Sequence, residues 1–242
     1  MKAIILAAGR GSRMKSRTDK IPKCLINFMD KPLIEWQIQA LKNAGISDIA
    51  VVSGYMHDKL RYLNLKEFYN IRWAETNMVS SLECADSWLS CSECIISYSD
   101  IYYQADAILK LAQSNESLAI TYDKNWRSLW EKRFKDPLSD AESFKIDDQE
   151  YLLEIGQKET SINNIQGQYM GLIKFTPNSW EILKALRQTL KAEVKDKMHM
   201  TNTLNLILQK QLLKIKAISF NGIWAEFDSA EDLNFVNNSL QN

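Results

Sequence analysis

Ile4-Ile5-Leu6-Ala7-Ala8-Gly9-Arg10-Gly11-Ser12-Arg13-Met14, closed further on by Pro22-Lys23, is the stretch around which the chain is organised. Lys2 to Leu6 is a short apolar run: one buried strand, and too short for the core of a signal peptide. The side chains then become small. Ala7, Ala8, Gly9 and Gly11 let backbone approach a ligand closely. Successive N–H groups in such a turn form an anion-binding nest. Arg13 adds a planar fork suited to phosphate oxygens, and Lys23 a compact charge on a flexible stem. The third glycine of a dinucleotide fingerprint is replaced by Met14, and no Gly-Lys-Ser/Thr of a Walker loop is present. A plain glycine turn is the simpler reading, but Arg13, Met14 and Pro22-Lys23 in register favour a polyphosphate site.

Working outward, Ile34, Ile38 and Leu41 recur at helical spacing between Pro32, expected as the first helical residue, and Gly45, expected as the stop. Ile49 to Val52 reads as the next strand and ends at Ser53-Gly54. Strand, helix, strand is the unit of a parallel sheet, whose ligands gather at the carboxyl ends of strands. Further strands are expected at Ile71–Ala74, Cys94–Tyr98, Leu118–Tyr122, Gln168–Phe175 and Lys214–Phe220, with a hairpin from Phe144–Ile146 and Tyr151–Ile155. Helices are expected from the Asn77 segment to Leu89, and over Ala105–Leu111, Pro177–Ala192 and Thr201–Leu213. Ser229 with Asp232 reads as a capping box for a last helix.

The 242 residues make one large domain, or one with an appendage. Thirty basic and thirty acidic residues cancel, so nothing points to nucleic acid. No apolar run approaches a membrane span, and the expected compartment is the cytoplasm. The four cysteines, Cys91 and Cys94 among them, read as reduced structural thiols, because only His57 and His199 are available to complete a zinc site.

Several residues carry two readings. Ser80 or Ser81 caps a helix or lines a ligand pocket. Asp100, at the end of a central strand, holds a metal bridging phosphates or caps the helix near Gln104. Trp126 and Trp130, one helical turn apart, are core residues or the aromatic wall of a pocket for a cationic group.

Leu6-Ala7-Ala8-Gly9-x-Gly11-Ser12-Arg13-Met14 with Pro22-Lys23-Cys24-Leu25 resembles the signature of nucleotidyltransferases that activate sugar phosphates and choline phosphate. Asn77-Met78-x-Ser80-x-Leu82 and the block around Trp126 resemble the cytidylyltransferase branch acting on phosphocholine, aminoethylphosphonate or phosphoglutamine. The resemblance implies an α/β, Rossmann-like, mostly parallel sheet flanked by helices, of the GT-A-like type. It implies one domain over 1–242 with an acceptor-pocket insertion at about 123–160. It implies transfer of CMP from CTP to a small phosphorylated or phosphonate acceptor, with release of pyrophosphate, for surface polysaccharide or capsule decoration.

On the resemblance, Lys23 and Arg13 are the catalytic residues. The nucleotide falls to Leu6, Ala8, Gly9, Gly11, Ser12, Arg13, Met14, Lys23, Gly54, Asn77, Ser80 and Ser81. The acceptor falls to Asp123, Trp126, Trp130, Arg133, Lys158, Gln168, Tyr169, His199 and Asn202. Mg²⁺, or Mn²⁺, falls to Asp100 and Asp228. Members of this branch usually carry Glu where this chain has Gln168 and Asp where it has Asn202, which leaves room for an acceptor with its own carboxylate. The partners expected are CTP and the acceptor, without nucleic acid or membrane, in a monomer or homodimer. The competing readings are a sugar-1-phosphate nucleotidyltransferase and, from another class, an inactive nucleotide-binding regulatory subunit.

Overall fold

A mostly parallel seven-stranded sheet forms the centre of the molecule. The computed structural model describes residues 1–229, 231–233 and 236. The strands are β1 (Lys2–Ala7), β2 (Asn27–Phe28), β3 (Lys31–Pro32), β4 (Ile49–Ser53), β5 (Lys66–Tyr69), β6 (Cys94–Tyr98) and β7 (Ile101–Tyr103). They continue with β8 (Leu118–Asp123), β9 (Glu142–Ile146), β10 (Leu152–Lys158), β11 (Gln168–Phe175), β12 (Lys216–Phe220) and β13 (Trp224–Glu226). The helices are α1 (Leu33–Asn43), α2 (Met78–Glu83), α3 (Asp86–Leu89), α4 (Ala105–Ala112), α5 (Trp126–Arg133), α6 (Pro177–Gln188), α7 (Ala192–Lys197) and α8 (Met200–Gln209). The sheet order is β12-β8-β11-β6-β1-β4-β5, and β11 alone runs against both of its neighbours. β1 lies between β4 and β6 and is parallel to both, so the strand order reverses beside it. Such a switch point opens a crevice at the carboxyl ends of the strands.

The apolar runs of β1, β4 and β6 are buried throughout, as a sheet covered on both faces requires. A second, smaller core joins Met14, Phe28, Leu33, Ala225 and Phe227. Met14 is therefore an anchor rather than a ligand contact. Its full burial, worth about 1.5–3 kcal/mol, pins the glycine loop to the C-terminal segment.

Four expectations change. Ile71–Ala74 is a turn, and the edge strand precedes it at β5. Asn70 makes the turn: its side chain accepts from Arg72 N–H and donates to Thr76 and Ser81, leaving Ile71 79% exposed. The helix expected up to Leu89 breaks at Cys84-Ala85, and Asn77, not a serine, is its N-cap. Pro32 precedes α1 with an extended ψ of 141°. The helix expected over Pro177–Ala192 stops at Gln188, and a separate helix, α7, starts at Ala192. The Ser229–Asp232 capping box forms, with Asp232 N–H donating to Ser229 Oγ and Ser229 N–H to Asp232 Oδ2, while most of the helix it would start lies outside the described residues.

Candidate active site

Three loops at the carboxyl ends of β1, β4 and β6 meet at the switch point. After β1, Gly11 adopts a left-handed φ of 70° and starts a 3-10 turn over Ser12–Thr18. A Cβ at Gly11 would lie 2.7 Å from Lys23 Cδ, so the loop rests on the lysine's methylenes and only glycine fits. After β4, Gly54 lets Trp73 and the Ala8 carbonyl approach, where a Cβ would meet both within 2.6 Å. Tyr55 N–H donates to Ala8 O at 2.9 Å and holds the two loops together.

Asp100 and Asp228 are far apart in sequence and come together through paired backbone. β13 runs antiparallel to β7, and Phe227 N–H donates to the Asp100 carbonyl at 2.9 Å. Lys23 Nζ lies between the two carboxylates, 2.7 Å from Asp100 Oδ2 and 2.9 Å from Asp228 Oδ1. Arg13 reaches the same Asp228 oxygen at 2.8 Å. Burial would lower the Lys23 pKa, but the facing Asp100 and Asp228 outweigh it and raise the value above that of an ordinary lysine. Glu226 is pushed up to about 8 by burial and by the Asp228 and Asp100 charges.

Two cavities flank this cluster, each of about 260 Å³, and only together do they reach the usual range of a small-molecule site. They share a wall of Arg13, Met78 and Tyr98. The first contains Leu6, Ala8, Gly9, Gly11, Ser12, Arg13, Lys23, Asn77 and Ser81 of the expected nucleotide residues. Gly54 stands behind it. Ser80 is turned away, its hydroxyl accepting from the Arg187 guanidinium at 2.8 Å. Trp73 and Thr76 line the cavity and were not anticipated; the signal for Trp73 was a glycine at position 54, opposite it.

The second cavity contains Trp130, Gln168, Tyr169 and His199 of the expected acceptor residues. It does not contain the other five, each for a physical reason. Trp126 is core, its indole N–H donating to the Ile165 carbonyl. Asp123 is consumed by Trp224 Nε1 at 3.0 Å and Asn125 N–H at 2.7 Å. Arg133 is buried against Asp232 at 2.9 Å and Glu226 at 3.7 Å. Lys158 and Asn202 are exposed on β10 and α8. In their place Asp140, Glu142, Phe144, Ile155, Met200 and Thr201 line the wall. The first four lie within the 123–160 segment, but no spacing marked which of its residues face inward.

One strip of chain serves both cavities. Asn77 N–H donates to Asp196 O at 2.6 Å and Asn77 Nδ2 to Lys197 O at 3.1 Å, so α7 is fastened beside the first cavity. The same strip runs on through His199, Met200 and Thr201 in the second.

The cluster suits a hard divalent cation. Asp100 Oδ1 is buried and has no hydrogen-bond partner among the described residues. No three His, Cys, Asp or Glu side chains among those residues converge into a cage. Mg²⁺ asks for no cage: it usually takes one or two carboxylates and completes its shell with water and substrate phosphates.

A family model described as a MobA-like NTP transferase domain matches residues 3–195. The CTP:phosphoglutamine cytidylyltransferase of Campylobacter jejuni is 41% identical, over 96% of this chain and 98% of its own. The choline-phosphate cytidylyltransferase of Streptococcus pneumoniae is 50% identical over 30% of this chain and 31% of its own. In fold, the chain superimposes on the solved structure of a CTP:phosphocholine cytidylyltransferase from Streptococcus pneumoniae with a TM-score of 0.73, at 22% identity, over 99% of this chain and 98% of that one.

Proposed function

This chain belongs to the MobA-like NTP transferase family, and from that premise we propose that it is a cytidylyltransferase moving CMP from CTP to a small phosphorylated acceptor, phosphoglutamine foremost. The observation that carries the reading is the position of Lys23, Arg13, Asp100 and Asp228 where two cavities meet, one lined by the glycine loop and the other by the insertion. Nearly full-length likeness to a phosphoglutamine enzyme supports the acceptor.

In this reading the backbone N–H groups of the Ala8–Ser12 loop and the Arg13 guanidinium hold the β- and γ-phosphates. Trp73, Asn77 and Ser81 face the nucleoside. Lys23 leaves its carboxylates to lie between the α-phosphate and the incoming acceptor phosphate, drawing two anions together. An acceptor oxygen, already deprotonated near neutral pH, attacks the α-phosphorus. The new P–O bond forms as the α–β bond breaks and pyrophosphate departs with the electron pair. No general base is required. Asp100 and Asp228 are the residues that would hold a Mg²⁺ or Mn²⁺ ion, which would supply neutralisation of the phosphate charge. The insertion over about 123–160 serves as the acceptor module of a single domain. We place the reaction in the cytoplasm, with its CTP, as the activating step before a small group is added to a surface glycan.

The test is pyrophosphate release with CTP and Mg²⁺ against phosphoglutamine, phosphocholine, 2-aminoethylphosphonate and a sugar 1-phosphate. The highest rate is expected with phosphoglutamine. Release only with the sugar phosphate would overturn the acceptor assignment.

A further inference from the structure

Gln168 lines the second cavity, yet its carboxamide is fully engaged. Oε1 accepts the Glu142 N–H at 3.3 Å, and Nε2 donates to the Glu142 carbonyl at 2.7 Å and the Gly167 carbonyl at 3.0 Å. The side chain thus grips the backbone of Glu142 from both sides, as a neighbouring strand would. A glutamate here would still accept from the N–H but could not donate to either carbonyl, and it would set a second carboxylate beside Glu142. An amide, not an acid, is what this position requires.

The residue it grips is unlike the carboxylates at the junction of the cavities. Asp100 and Asp228 each face a cation. Glu142 has no Lys or Arg within ion-pairing distance among the described residues; its exposed side chain lines the cavity beside Thr201 and His199. Asp140, on the same wall, accepts from Trp130 Nε1 at 3.1 Å and likewise has no ion-pair partner among those residues. Trp130, Tyr98 and Phe144 complete an aromatic surround. Arg13 lines the same cavity where it meets the first, within electrostatic reach of Asp140. A ligand anionic at one end and cationic at the other complements that arrangement.

We propose that Glu142, positioned by Gln168, is the specificity-determining carboxylate that reads a cationic group on the phosphorylated acceptor. This rests on the cytidylyltransferase reading.

The test compares phosphoglutamine with its derivative acetylated on the α-amine, in wild type, Glu142→Gln and Gln168→Met, with KM for CTP as the internal control. In wild type, acetylation should raise the acceptor KM by about tenfold to a hundredfold, the worth of one contact to a charged group. Glu142→Gln should lose that discrimination and leave KM for CTP within about twofold. Gln168→Met should lose discrimination in the same direction, whereas a merely structural role would weaken both acceptors alike. Undiminished discrimination in Glu142→Gln, or a wild type indifferent to acetylation, overturns the inference and leaves the function standing. If no phosphorylated acceptor supports pyrophosphate release from CTP, the functional reading falls and this inference with it.

Discussion

The two halves of the site handle charge in opposite ways. On the nucleotide side every carboxylate at the junction faces a cation, with Lys23 and Arg13 closing on Asp100 and Asp228. On the acceptor side Glu142 and Asp140 face a cavity with no ion-pair partner among the described residues. Burial holds both above the usual carboxylate range. A side that neutralises itself must be opened by its ligand, whereas a side left unpaired is completed by its ligand. In the proposed reading, catalysis belongs with the first arrangement and selectivity with the second.

The largest effect should come from breaking the self-paired side. Lys23→Ala should lower kcat by about a hundredfold or more, as expected when a group that stabilises transferring charge is lost. The same variant leaves two carboxylates facing each other, so its melting temperature should fall and recover in part on addition of Mg²⁺, which calorimetry would read. Asp100→Asn and Asp228→Asn should each raise the Mg²⁺ concentration for half-maximal activity by about tenfold. A Mg²⁺ requirement unchanged in either would reduce that aspartate to a structural role.

The two tryptophans of α5 sharpen the contrast. Trp126→Ala should cost about 3–5 kcal/mol of stability in urea unfolding. Trp130→Phe keeps a ring but gives up the bond to Asp140, and should raise the acceptor KM about threefold with KM for CTP unchanged. Equal effects on both substrates would mean that Trp130 too is only core.

Asp123 gives a smaller, pH-dependent effect. Burial raises its pKa above the usual 3.8, against the lowering by Trp224 and Asn125. A raised native pKa means that the native state binds this proton more readily than the unfolded chain. Its stabilising contribution is therefore complete below the ordinary value and lost as pH rises through the elevated one. Asp123→Asn keeps only one acceptor oxygen, so it gives up one of the two hydrogen bonds and lowers stability at every pH, but it removes the titration and should flatten that decline, measured by urea unfolding from pH 4 to 7. Smallest of all, Lys158→Ala and Asn202→Ala should each leave the acceptor KM within about twofold, because neither lines the cavity.

The same contrast governs what could be read from sequence. The nucleotide half is built by backbone. Its glycines, its short apolar strand and its strand-end aspartate are local features, and residues 6–13 lie close together in the chain as well as in space. β11 was legible to the residue, since burial on both faces leaves a largely apolar run, Gln168 and Lys174 being its polar members. The acceptor half takes side chains from Asp140 to Thr201 and from the strand before Asp228. Which of them face inward depends on packing that no local pattern encodes. Trp126 and Trp130 share a helical face, yet one is sealed by the Ile165 carbonyl and the other stands at the cavity wall. Asp123 and Arg133 were expected to meet the acceptor but are turned to structural partners, Trp224 and Asp232, about a hundred residues away. Ile71 looked like strand because an apolar residue was weighed without the Asn70 turn beside it.

The fastening of Asn77 to Asp196 and Lys197, in a strip that continues as His199–Thr201, has an evolutionary consequence. The contacts from α7 to Asn77 are made by its backbone carbonyls, so its outward residues, Glu193 and Val194 among them, are at liberty to drift. Its length is not. One residue gained or lost between Asp196 and His199 would move the acceptor wall out of step with the nucleotide loop, so descendants of this chain should vary freely in composition here and hardly at all in residue count.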